Sequence, residues 1–149
     1  MIPCPEIDPR SGGTTTVAAA LDAFLAKHGL DRGGYQAAKL FVRLGPLRLP
    51  FPNPQLLPFH DLHHVAIDAA PDFWGEVEVS VLELRSGTPT WLIWFLCVGA
   101  IFFGALLSPW RVVRIWRRYA GCHNLYREDL HELLALDVDD LRRRVAHQR

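Results

Sequence analysis

His60-Asp61-Leu62-His63-His64 places four potential metal ligands within five residues, and Glu76 follows after eleven more. On a helix each residue turns by about 100°, so His60 and His64 lie about 40° apart and Asp61 about 60° beyond His64. These three side chains can therefore converge on one ion. Glu76, on a following helix that turns back near Pro71, supplies a fourth ligand or a base. Imidazole and carboxylate together suit zinc, and the same mixture admits iron, manganese or magnesium. The expected ligand set is His60, Asp61, His64 and Glu76, with Glu76 and Asp61 also the candidates for catalytic proton transfer. His63 sits about 100° from His64, on the side away from Asp61, and is expected as an outer or substitute ligand. Adjacent histidines at a helix start are more often only solvated polar groups. Here the cluster precedes an apolar segment, which favours the metal.

Most of the elements around these groups are helical by periodicity, whereas the segment that carries Glu76 leans to strand by propensity and is expected as helix only from the resemblance given below. Residues 1–15 mix proline, glycine and charge and read as a flexible tail, leaving 16–149 as a single domain. From Thr16, Val17, Leu21, Phe24 and Leu25 recur at helical spacing, and Gly29 supplies a stop. A second helix is expected from about Gly34 to Leu44. Pro46, Pro50, Pro52, Pro54 and Pro58 then enforce an extended linker that delivers the chain to His60. Phe73 to Leu84 is ambiguous, because Glu76 to Val81 alternates like a strand while Trp74, Val77, Val81 and Leu84 share one helical face. Near the end, Leu130, Leu133 and Leu134 and then Val138, Leu141 and Val145 give amphipathic closing helices. Asp137, followed by Asp140, is the expected cap of the last one.

Between Ser86 and Trp110 no side chain is charged. As one helix this 25-residue run would extend about 37 Å, against a bilayer core of about 30 Å. Trp91 and Trp94 lie near one end, Trp110 and Trp116 near the other, and Arg111, Arg114, Arg117 and Arg118 follow at once. Aromatics at headgroup level beside cations are the pattern of a membrane interface, so the segment is read as peripheral or single-pass. A buried core helix is the alternative, with Gly99 and Gly104 allowing close packing in either case. In helical register Arg111, Arg114 and Arg118 share one side, the expected cationic strip against anionic headgroups.

The formal net charge of the 149 residues is zero, so no nucleic-acid partner is expected, since binding by counterion release calls for a basic excess. Cys4, Cys97 and Cys122 are odd in number and widely spaced, which argues against a disulfide framework. The N-terminus has neither the basic start nor the apolar stretch of a secretory signal. A cytoplasmic location on the membrane face follows as the expectation.

His60-Asp61-x-x-His64, eleven residues, then Glu76 resembles the metal-binding signature of the coenzyme Q (ubiquinone) biosynthesis protein four family, in register and without a gap. Gly75-Glu76-Val77-Glu78 looks like that family's Gly-Glu segment. Asn124-Leu125-Tyr126, Glu132-Leu133-Leu134 and Asp140-Leu141-Arg142 are similar to its C-terminal end. The similarity covers about residues 56–146; the N-terminal region is shorter than the family's, and His63 stands where a bulky aromatic is common. The resemblance implies an all-α domain, peripheral to the membrane, with a Zn2+-type metal beside a hydrophobic lipid groove for a polyprenylated ring. It further implies metal-dependent, oxidative decarboxylation of that ring at carbon one, and contact with membrane lipids and other quinone-biosynthesis proteins. A homodimer is compatible with it.

Three other readings compete. A non-catalytic scaffold that holds a polyprenylated quinone precursor and organises its enzymes needs the same groove and metal. A membrane di-iron lipid hydroxylase would match His60-x-x-His63-His64 as one histidine box, yet such enzymes need several boxes, and His28, His123, His131 and His147 stand singly. A His-Asp phosphohydrolase needs further spaced ligands beyond His60-Asp61. No nucleophile constellation, phosphate loop or dinucleotide fingerprint is present.

Overall fold

The computed structural model describes residues 15–29, 33, 41–44, 47–50 and 54–146. Apart from one antiparallel pair of short strands, the regular elements among the described residues are helical. Helix α1 (Val17–Lys27) begins where expected: Thr16 accepts from the Ala19 amide at 3.3 Å, and Val17, Leu21 and Leu25 form one buried stripe. Strands β1 (Phe41–Leu44) and β2 (Leu47–Pro50) pair antiparallel, with Phe41 opposite Pro50 and Leu44 opposite Leu47. This corrects the expected helix over 41–44; residues 34–40 lie outside the described residues. Val42-Arg43-Leu44 and Leu47-Arg48-Leu49 alternate with period two around Gly45-Pro46, and the proline disfavours helical backbone before it. The expected flexible tail lies, apart from Thr15, outside the described residues.

A 3₁₀ turn (Pro54–Leu56) leads into α2 (Leu57–Ile67), with Pro58 in the first turn, where its missing N–H costs nothing. Asp68 adopts the left-handed conformation (φ 53°) and ends α2; its amide and that of Ala69 bond back to the last turn. The chain reverses over five residues into α3 (Phe73–Ser86), which Asp72 caps by accepting from the Gly75 amide at 2.8 Å. The ambiguity at 73–84 is thus resolved as helix. Period-two valines are outvoted by the cap and by burial of Val77, Val81 and Leu82 in the common core with Leu62 and Ala66 of α2. Gly75 is required, since a Cβ there would lie 1.7 Å from the Ala70 carbonyl oxygen. That close approach presses the first turn of α3 onto the loop and sets where Glu76 begins.

Helix α4 (Trp91–Leu107) packs on α3, and α5 (Pro109–Arg118) returns along both. At their meeting point a Cβ on Gly104 would come within 3.1 Å of Val77 and 3.2 Å of Val112. The uncharged run is therefore not one continuous helix. Ser108 is extended (φ −157°) ahead of Pro109, and the backbone turns there. Among the described residues no helix is long and apolar enough to cross a membrane. The arginine strip is also divided: Arg111 lies 4.0 Å over the Trp74 ring and Arg118 pairs with Glu78 at 3.7 Å, both binding α5 to α3.

Helices α6 (Leu130–Ala135) and α7 (Val138–Ala146) close the domain by burying Leu133, Leu141 and Val145. Asp137 caps α7 by accepting from the Asp139 amide. The start of α1 is stitched to this end: Val17 N–H donates to the Leu136 carbonyl and Val138 N–H to that of Thr15. Cys97 is a buried free thiol, whereas Cys122 is disulfide-bonded, a correction to the expectation from cysteine spacing.

Candidate metal centre

Helices α2 and α3 run antiparallel, so successive turns of one meet the turns of the other in reverse order. Glu76, in the first turn of α3, faces His60 and His64; Glu83, two turns later, faces His60 and His63. The ligand atoms of His60, His64 and Glu76 all lie within 4.8 Å of one another, a set that can hold a metal ion. Asp61 does not join this set. Around α2 the two carboxylates of α3 meet the sector from His63 through His60 to His64, while Asp61 lies about 60° past that sector. Around a tetrahedral ion three such ligands would leave one coordination position open. Access exists as well, since the Glu76 side chain is 43% exposed and that of His60 27%.

His64 is oriented from behind. Its Nδ1 lies 3.1 Å from the Ala69 carbonyl, which can only accept, so Nδ1 carries the proton and Nε2 the lone pair. Phe24 of α1 stacks on the ring at 5.6 Å and holds its plane. Nε2 then points at Glu76 Oε1 at 3.2 Å, in a geometry that makes no hydrogen bond, and it is buried without a partner. Two electron-pair donors facing each other need a positive centre between them, which a proton or a bound metal ion supplies. The residues present thus fit a divalent metal.

His60 sits between the two carboxylates, Nδ1 3.0 Å from Glu83 Oε1 and Nε2 3.3 Å from Glu76 Oε2. Burial works against its charged form, but the Glu83 and Glu76 charges outweigh burial and hold its pKa well above the ordinary value. Glu76 shows the converse. Burial would raise it, yet the facing His60 and His64 bring it down to about 2. A carboxylate favoured in its ionised form suits a metal ligand.

His63 belongs to a different network. Nδ1 donates to Glu83 Oε1 at 2.9 Å and Nε2 accepts from the Leu125 amide at 2.9 Å, so the buried ring is neutral and saturated. Its pKa is lowered, by burial above all. Tyr126 Oη donates to Glu83 Oε1 at 2.7 Å and Cys97 Sγ to Oε2 at 3.6 Å. Burial first and then the Glu83 charge push both groups up, keeping them protonated donors. Glu83 was absent from the sequence-derived site. The available signal was its position seven residues after Glu76, the same helical face two turns on, within an otherwise apolar stripe.

No family model matches this chain, and neither a curated protein nor a solved structure does.

Proposed function

We propose that this chain is a metal-dependent protein of quinone-type lipid metabolism, holding a divalent cation at His60, His64 and Glu76. We take the cation as Zn2+, which mixed imidazole and carboxylate ligands suit, as they also suit iron or manganese. The observation that carries the reading is the buried His64 Nε2, its lone pair fixed toward Glu76 by the Nδ1 bond to Ala69. A divalent cation bound there would supply Lewis-acid charge that holds a substrate carboxylate and offsets the charge building on an aromatic ring as the carbon–carbon bond breaks, carbon dioxide leaves and a proton from solvent takes its place at the ring carbon. His60 and His64 keep their orientation during this, and the ionised Glu76 withholds a proton from the departing carboxylate.

The surroundings, and the resemblance of His60-Asp61-x-x-His64 and Glu76 to the coenzyme Q biosynthesis protein four signature, support this substrate class. Helix α4 is apolar on every face yet buries chiefly Ile93, Cys97 and Gly104. Trp91 (79% exposed), Phe95, Phe102, Leu106 and Trp110 (80%) form an open hydrocarbon surface. A surface of that kind marks a membrane or lipid contact. The chain is therefore read as peripheral on a membrane, acting on a polyprenylated hydroxybenzoate-type ring.

The experiment is elemental analysis of protein purified without chelator, followed by incubation with a carboxylated prenylphenol. Stoichiometric metal in the wild type, its loss in His64→Ala and appearance of decarboxylated product support the reading. No metal, or equal metal in both proteins, ends it. Binding of the prenylphenol without product would assign the non-catalytic scaffold instead.

A further inference from the structure

We propose that Glu83 is the positioning carboxylate of this centre, holding His60 in the tautomer and orientation that present Nε2 to the metal. This rests on the metal reading above and adds a residue outside the ligand set. Glu83 is 1% exposed, and a carboxylate so buried persists only when its oxygens are satisfied. Four groups approach it: His60 Nδ1, His63 Nδ1 and Tyr126 Oη on Oε1, and Cys97 Sγ on Oε2. An ionised carboxylate only accepts, so each of these atoms carries the proton. His60 Nδ1 is therefore occupied, and in the neutral ring the lone pair falls on Nε2, the atom facing Glu76.

Glu83 can do this because it is itself anchored. Its partner His63 is tied to the backbone through the Leu125 amide. Asn124 Nδ2 donates to the Ser86 and Gly87 carbonyls, both at 2.7 Å, and Asn124 Oδ1 accepts from the Tyr126 amide, so residues 124–126 are fixed to the end of α3. An unbroken chain of bonds thus runs from the α3 terminus through Tyr126, His63 and Glu83 to His60. The two ligand histidines are consequently unlike. A neutral carbonyl orients His64 and a carboxylate orients His60, and a carboxylate partner also raises the basicity of the imidazole it holds.

The test measures zinc affinity by chelator competition for wild type, Glu83→Gln and Glu76→Gln, together with 15N NMR of the histidine rings of zinc-loaded wild type. Glu83→Gln keeps a side chain of the same shape and loses the charge. It should bind zinc about 10–100-fold more weakly while reaching wild-type stoichiometry at saturation. His60 in the wild type should show a protonated Nδ1 and a metal-bound Nε2. A folded Glu83→Gln with wild-type affinity, or His60 bound to metal through Nδ1, overturns the proposal while leaving the metal site standing. Wild type without stoichiometric zinc removes the metal reading itself, and Glu83 with it. Should Glu83→Gln fail to fold, the wild-type tautomer decides.

Discussion

His63 and His64 are chain neighbours with opposite bonding: both nitrogens of His63 are paired, to Glu83 and to the Leu125 amide, whereas His64 keeps one nitrogen bare in the direction of Glu76. Substitution should separate them. His63→Ala strips the Leu125 amide and Glu83 of a buried partner and opens a cavity, a loss of on the order of 3 kcal/mol. His64→Ala should empty the metal site with a smaller loss of stability. Urea unfolding and metal content of the two variants check this. A His63→Ala protein of wild-type stability would contradict it.

Asp61 and Glu76 make a second contrast. Both were candidate ligands by spacing, and only Glu76 joins His60 and His64 in the structure. Asp61→Asn should therefore change zinc affinity by less than a factor of about three, whereas Glu76→Gln should weaken it at least about tenfold, as losing a ligand does. Competition titration reads both, and equal losses would put Asp61 back among the ligands.

What was legible in the sequence divides along the same line. Spacing paired His60 with His64, because an i, i+4 pair is a local feature of a helix, and the resemblance added Glu76. Spacing could not tell from which side α3 approaches α2, and that direction leaves Asp61 outside the His60, His64 and Glu76 set and brings Glu83 against His60 and His63. The first helix was legible from Thr16, Leu21 and Gly29, since cap, stripe and stop agree there. The hairpin over Phe41–Leu44 and Leu47–Pro50 was not, because a short apolar run fits either period until its pairing partner is known. The absence of charge from Ser86 to Trp110 obscured the break at Ser108-Pro109 for a similar reason: hydropathy carries no information on backbone direction.

Metal binding and protonation compete at His60. Without metal its raised pKa contributes stability that is fully present below the unfolded value of about 6.5 and is lost as pH rises through the folded one. Glu76 contributes stability present above its ordinary 4.5 and lost as pH falls toward about 2. His63, lowered by burial, costs stability below about 6.5 with or without metal, so it cancels when the two forms are compared. Zinc must displace the His60 proton. The zinc-induced rise in Tm should accordingly grow between about pH 5 and about pH 8. A rise that stays constant over that interval in calorimetry would show that no ligand titrates there.

Gly75 admits no side chain, with the Ala70 carbonyl oxygen 1.7 Å from where a Cβ would stand. Gly75→Ala must push the first turn of α3 off the 68–72 loop, at on the order of 3 kcal/mol, and carry Glu76 with it. Both stability and zinc affinity should fall. Gly99→Ala, where nothing lies within 4 Å of the added Cβ, is the control and should leave both unchanged. A Gly75→Ala protein that keeps wild-type zinc affinity would mean that Glu76 is not positioned by this contact.

The apolar face of α4 should hold the protein on membranes without crossing them. Phe102 and Phe103 are 56% and 52% exposed, so changing both to Asp leaves the core untouched, and circular dichroism and zinc content should stay as in the wild type. Each acid would cost about 3 kcal/mol at the centre of a bilayer and less at its interface, still enough together to abolish flotation with phosphatidylcholine vesicles. The arginines should act separately from this hydrocarbon contact. Arg111 and Arg118 are engaged with Trp74 and Glu78, which leaves Arg114 and Arg117, both exposed, to meet anionic headgroups. Each is worth about 1 kcal/mol near an anionic leaflet. Arg114→Glu with Arg117→Glu should thus remove the gain from added phosphatidylserine and its sensitivity to salt, while binding to neutral vesicles persists. Wild-type protein that fails to float with either vesicle would refute the membrane reading of α4, and its exposed tryptophans would then have to be explained by a protein partner.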